Sequence, residues 1–236
     1  MIVFWRLVLA YYICAVLFCN PRFFAWRERH MSAAVLGQGI CFASVAALLC
    51  ASYWHHNWQL AELWVMPGWL GIILCSVIYM VLNSLFVYRP QKTRHHTLTF
   101  LVHDTLMLFG LFACSPLHTV YRTGNFMHEP LTVFFVGLLL VTRIFSIFIY
   151  MVEMDLYGRD FPTIDESFVT MLMRLIFFLI VLLPGWRWVL WFLVWFYACG
   201  EAHQNRLMDI SRFALYFSMF GSAAVGFLVR YGWYWV

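Results

Sequence analysis

Apolar side chains run along this chain in long, nearly unbroken stretches, and polar residues are gathered into the short turns between them. Eight such stretches stand out, at roughly 2–20, 31–53, 65–88, 97–121, 130–152, 165–183, 185–200 and 213–231. A hydrocarbon core about 30 Å thick is crossed by about 20 helical residues, so the pattern predicts eight transmembrane helices. Proline marks breaks at Pro21-Arg22, Arg89-Pro90, Glu129-Pro130 and Pro184-Gly185, because it lacks an amide donor and disfavours helix in the residue before it. The segment 185–200 is short for a full crossing, which leaves a count of seven spans open. The fold class expected is an all-α polytopic membrane bundle, a single helical domain over residues 1–236. Its longest polar connection is an acidic cytoplasmic loop at 153–167, where Thr163 and Glu166 have the spacing of a capping box before the next apolar run.

Composition removes the soluble alternative. Hydrophobic residues make up 64% of the 236 and charged residues only 11%, where ordinary globular chains carry about 25%. The 12 tryptophans suit a chain that passes repeatedly through the headgroup region. All 7 cysteines lie inside apolar stretches without CxxC spacing, so they read as small buried residues and not as a disulfide framework. The opening run, MIVFWRLVLAYY, has no basic segment ahead of it and no small-residue cleavage site, and is expected to stay as a helix.

The net charge of +4 would raise the question of nucleic acid in a soluble domain. Here the cations cluster beside apolar runs, as topology determinants do, and no nucleic-acid partner is implied. If every segment crosses, Arg22, Arg27, Arg29, Arg89, Lys92, Arg94, Arg159, Arg206 and Arg212 fall on one side. Arg6, Arg122, Arg187 and Arg230 fall on the other. The positive-inside tendency makes the first side cytoplasmic and puts both termini outside, in what reads as a bacterial inner membrane. Trp5, Trp54, Trp58, Trp64, Trp69, Trp186, Trp188, Trp233 and Trp235 gather near the outer ends on the same assignment.

Two rows of small residues recur at every fourth position, Gly39, Ala43 and Ala47 in one segment and Ala214, Ser218, Ser222 and Gly226 in another. Such rows let helix backbones approach closely, as a packing seam within the chain or an oligomer seam between copies.

Polar residues inside the spans are more informative. Counted at about 1.5 Å per residue from the cytoplasmic ends, Gln38, Asn83, His103, Asp104, Arg143 and Arg174 all lie about 8–13 Å deep. Charges there are costly, by about 2.5–3.5 kcal/mol on insertion scales, and normally face the bundle interior or a wet cavity. Asp104 calls for a cation, which Arg143 or Arg174 could supply, and a positive surplus then remains. Three uses of this layer follow: an internal ion-pair network, a site for an anion or lipid headgroup, or a proton-linked site using His103 and Asp104.

The remaining chemistry is excluded by absence. The histidines near the segment ends form no helical HxxxH, and there is no GxSxG, HExxH, P-loop or GxGxxG, so no metal and no cofactor is expected. With Lys92 the sole lysine, and in a loop, a buried catalytic amine is absent. The function expected is a channel or transport-type unit, or the membrane subunit of a larger assembly. Its partners would be membrane lipids, further copies or other membrane subunits, and an anionic ligand. The rival class is a membrane-embedded enzyme acting on a lipid or lipid-linked anionic substrate, with Arg143 and Arg174 holding a phosphate and His103 or Asp104 as base.

Overall fold

In a computed structural model of the chain, the residues described are 1–18, 21–60, 64–86, 96–116, 128–157, 164–205 and 210–234. They are overwhelmingly helical and fall into two compact units, Met1–Thr132 and Val133–Val236. Arg89, Lys92, Arg94, Arg122, Arg159, Thr163 and Arg206 lie outside the described residues, as does the side chain of Glu166.

The first unit contains α1 (Ile2–Phe18), α2 (Pro21–Arg29), α3 (Met31–Leu49), α4 (Gly68–Leu85) and α5 (His96–Ala113). Its main packing is α3 on α4 and α1 on α3, with α5 against both α4 and α1. Gly39 lies so close to α4 that a Cβ there would stand 2.4 Å from Met80 Cγ, so the small residue of α3 is what admits the methionine. Between α3 and α4 the chain makes a short 3-10 turn, Ala51–Tyr53, and then an antiparallel hairpin of β1 (Asn57–Leu60) and β2 (Trp64–Pro67) with Trp58 opposite Met66. The predicted stretches 31–53 and 65–88 are therefore shorter as helices, and the all-α expectation gains one small two-stranded element. The alternation of polar and apolar residues in Asn57-Trp58-Gln59-Leu60 is a strand signal hidden between two strong helical ones.

That hairpin also buries a tryptophan. Trp58, expected at the headgroup boundary, is 1% exposed and donates from Nε1 to Tyr53 O at 3.2 Å. It rests on Gly68 and Gly71 of α4, where any Cβ would come within 2.6 Å of its ring. The lack of a side chain at both positions creates the slot.

The second unit contains α6 (Glu129–Leu139, from Val133 onward), α7 (Phe145–Tyr157), α8 (Ile164–Val181), α9 (Arg187–Gln204) and α10 (Arg212–Tyr234). A π-helical turn, Leu140–Ile144, joins α6 to α7 without a break. The α8–α10 contact is the most extensive, and α8 also touches the π-helical turn and α9. Phe177, Met173, Leu215, Met219 and Cys199 form one buried apolar cluster, while Phe178, Val141, Val225 and Val229 form another. The break between α8 and α9 falls where the Pro184-Gly185 pair predicts it, and Gly185 takes φ +70°, a left-handed backbone that glycine adopts without strain.

Among the described residues, five helices are long and apolar enough to cross a membrane: α3, α4, α5, the continuous Glu129–Leu156 and the Arg212–Gly232 part of α10. Ile2–Phe18 and Phe168–Val181 are apolar but shorter. Large side chains such as Leu48, Leu85, Phe109 and Leu228 are exposed along these helices. An apolar surface of that extent fits hydrocarbon better than water.

Candidate functional site

In the first unit Asp104 and Asn83 of the predicted layer join a set of tyrosines and a further arginine. Asp104 on α5 is half-buried and accepts a hydrogen bond of 2.5 Å from Tyr11 Oη of α1. The Tyr11 ring meets Tyr79 of α4 edge-on at 6.1 Å, and Tyr79 stacks on Phe42 of α3 at 4.9 Å. Asn83, one turn beyond Tyr79, donates from Nδ2 to Tyr79 O at 2.9 Å, and Arg27 of α2 donates from Nη2 to Asn83 O. Gln38 is 4% exposed with its Oε1 lacking a partner among the described residues. The rings of His103 and Phe86 meet in a T-shaped arrangement, centroids 5.7 Å apart.

Four of the six predicted layer residues thus belong to one unit, and Tyr11, Tyr79 and Arg27 were not anticipated in their company. Arg27 has a sequence signal in hindsight: Pro21 is pre-organised for the first turn of a helix, and Arg27 and Arg29 favour its carbonyl end. Among the described residues of its unit, Asp104 forms no ion pair; its hydrogen bond comes from a phenol.

Arg6, counted among the cations of the outer side, is buried within the chain. It is 1% exposed, donates from Nη1 to Leu49 O at 2.7 Å and lies over the Tyr53 ring at 5.0 Å. Leu49 O is one of the carbonyls a helix C-terminus leaves without an internal partner, and a cation satisfies it well.

In the second unit Arg174 of α8 is also 1% exposed. Its Nη2 donates to Ser146 Oγ of α7 at 2.6 Å and its Nε to Thr170 O at 3.1 Å, while Nη1 has no partner among the described residues. Ser146 in turn donates to Thr142 O at 2.8 Å in the π-helical turn. Arg143, in that same turn, is exposed and makes no hydrogen bond among the described residues.

The small-residue row of α10 meets the same level of the unit. Gly226 abuts Phe178 O and Val181 of α8, and Arg230 donates to Val181 O at 3.3 Å, so the two helices run side by side in one direction. One turn back along each, Arg174 comes level with Ser222. Ser218 and Ser222 are both 0% exposed, and neither Oγ has a partner among the described residues. Ala214, Ser218, Ser222 and Gly226 are therefore covered within the chain, mainly by α8. In the α3 row Gly39 is buried, whereas Ala43 and Ala47 are half-buried.

Comparison of the chain with protein-family models, curated proteins and solved structures finds no match. Function is therefore to be sought in the chemistry of these two polar sets.

Proposed function

We propose that the chain is an integral membrane protein of the channel or transport type that handles a small anionic solute at Arg174. The observation that carries this reading is a guanidinium buried to 1% exposure whose partners among the described residues are a hydroxyl and a backbone carbonyl, with Nη1 left over. A buried cation is normally matched by a carboxylate, because desolvating it alone costs several kcal/mol. A cation held by neutral groups keeps its charge available for a visiting anion, and guanidinium is well suited to oxyanions. The hydroxyls of Ser218 and Ser222, without partners among the described residues, add donors on the helix packed beside it. The adjoining π-helical turn is a feature frequent at functional sites.

On this reading the protein sits in a bacterial inner membrane with both termini outside, alone or as a subunit of a larger assembly. The lipid-enzyme alternative asks for a general base beside the phosphate-binding arginines, and the described contacts of Arg174 supply none.

The test uses purified full-length protein in liposomes, with chloride and radiolabelled inorganic phosphate as probes. Parent protein is expected to pass at least one of them above empty liposomes and to lose that flux, by tenfold or more, in Arg174→Gln. Flux of neither probe, together with phosphate binding that is the same in parent and Arg174→Gln, refutes the anion reading.

A further inference from the structure

Helices α4 and α5 lie antiparallel, and three contacts step along them in register: Phe86 with His103, Ile78 with Gly110, and Cys75 with Cys114. Gly110 is what lets the backbones close toward the last of these. A Cβ there would stand 3.0 Å from Ile78 Cγ2, and one turn further along each helix the thiols of Cys75 and Cys114 are hydrogen-bonded to one another. A thiol is a weak donor, so this bond does little to hold the helices together. Two sulfurs in contact across a close helix pair can, however, be joined covalently with small adjustment.

The place of the pair favours that chemistry. Cys114 stands just past the last residue of α5 and is 5% exposed, against 0% for Cys75. Cys75 is one turn from Gly71, which supports Trp58 of the hairpin, so the pair lies at the hairpin end of the unit. The other contacting thiols, Cys14 and Cys41 with Sγ atoms 3.9 Å apart, meet midway along α3. A bond to α4 would also secure a thinly packed helix: of the 18 residues of α5, the buried ones are His96, Met107 and Leu111.

We propose that Cys75 and Cys114 are a dithiol pair that becomes a disulfide and ties α4 to α5. The oxidant is a disulfide-bearing molecule. Cys114 thiolate attacks one of its sulfurs, breaking its S–S bond and releasing one thiol. Cys75 thiolate then attacks Cys114 Sγ in the mixed disulfide and releases the second. Two cysteine S–H bonds become one S–S bond, the oxidant is reduced to two thiols, and the two cysteine protons end on them. The charge pattern assigns this end of the unit to the outside, where disulfides persist. That compartment rests on the topology proposed above; the pairing of the two thiols does not.

The experiment has one readout for each part. Cells making the full-length protein are quenched in acid, free thiols are blocked with N-ethylmaleimide under denaturing conditions, and the protein is digested without reduction. Mass spectrometry should find the Cys75 peptide joined to the Cys114 peptide, with Cys50, a third thiol within electrostatic range of Cys75, recovered as its maleimide adduct. Purified protein reduced with dithiothreitol and then titrated with oxidised glutathione should form the same link and gain about 6 °C or more in thermal transition, because the loop closed is long. Cys114→Ala should abolish both effects and Cys50→Ala neither, while the link in the parent protein needs no variant to fold. Both thiols still free at the end of the glutathione titration, or either one joined to Cys50 instead, overturns the pair. A link that forms with glutathione but is absent from quenched cells overturns the outer placement, while the pair stands.

Discussion

Arg6 and Arg174 are each 1% exposed, and the two burials have opposite energetic characters. Arg6 closes the end of α3 through Leu49 O and lies over the Tyr53 ring. Arg6→Met keeps the length of the side chain, strands that carbonyl and removes the ring contact. Loss of a charged hydrogen bond of this kind costs about 1.5–3 kcal/mol, and a lowered thermal transition in detergent, with no change in oligomeric state, is the expected result. Arg174 makes two hydrogen bonds with neutral groups but no ion pair among the described residues of its unit, so Arg174→Gln removes a desolvated charge without stranding a carboxylate. Its transition should stay within about 4 °C of the parent, the shift that about 1 kcal/mol produces in a chain of this size. A larger fall, coupled with intact anion flux, would show the arginine to be a staple. The burial of Arg174 was legible in the sequence because an arginine deep in an apolar run tends to turn inward, although the same argument also placed Arg143, which is exposed. Arg6 and Arg27 were not, since a cation near a segment end looks the same whether it snorkels to the headgroups or folds back onto a helix terminus.

At the level of elements, the continuous helix through Leu140–Ile144 and the α8–α10 pair decide how the second unit is built. A π-helical turn carries about one residue more than the α-helical turn it replaces. Removing one residue from it should restore plain helix and leave the faces of α6 and α7 nearly in place, whereas removing Leu175 turns the rest of α8 by about 100°. The first deletion is expected to yield a monodisperse protein in size-exclusion chromatography, and the second is not. Gly226 offers a sharper test, because a Cβ there would lie 3.0 Å from Phe178 O and 3.1 Å from Val181 Cβ. Gly226→Leu should destabilise the protein by about 1–3 kcal/mol through overpacking, read as a lower transition temperature; an unchanged transition would mean that α8 and α10 do not pack this way. A helix stands in every predicted apolar stretch, because unbroken hydrophobicity bounded by proline is a strong signal. The hairpin and α2 were missed for the converse reason: each is short, lies between stronger signals, and is settled by contacts such as Trp58 against Gly71 that no local pattern announces.

On the scale of the whole chain, the division into Met1–Thr132 and Val133–Val236 falls inside α6, two residues past Pro130 and with no polar linker to mark it. A search for linkers in the sequence therefore finds a single domain. Orientation in the bilayer depends instead on charge, and two described positions provide the means to test it. Arg29, at the end of α2, and His55, just before the hairpin, are both exposed and lie at opposite ends of α3. If α3 crosses the membrane, the two must face different compartments, and the concentration of cations around Arg29 assigns it to the cytoplasm. The described native cysteines are buried or half-buried, so a background with all of them replaced is best checked for folding before use. In that background, an impermeant maleimide applied to intact cells should modify His55→Cys and should reach Arg29→Cys only after the membrane is permeabilised. Modification of Arg29→Cys in intact cells with His55→Cys protected would invert the topology. Equal modification of both would mean that α3 does not span, and the depth at which Gln38 was placed would lose its basis.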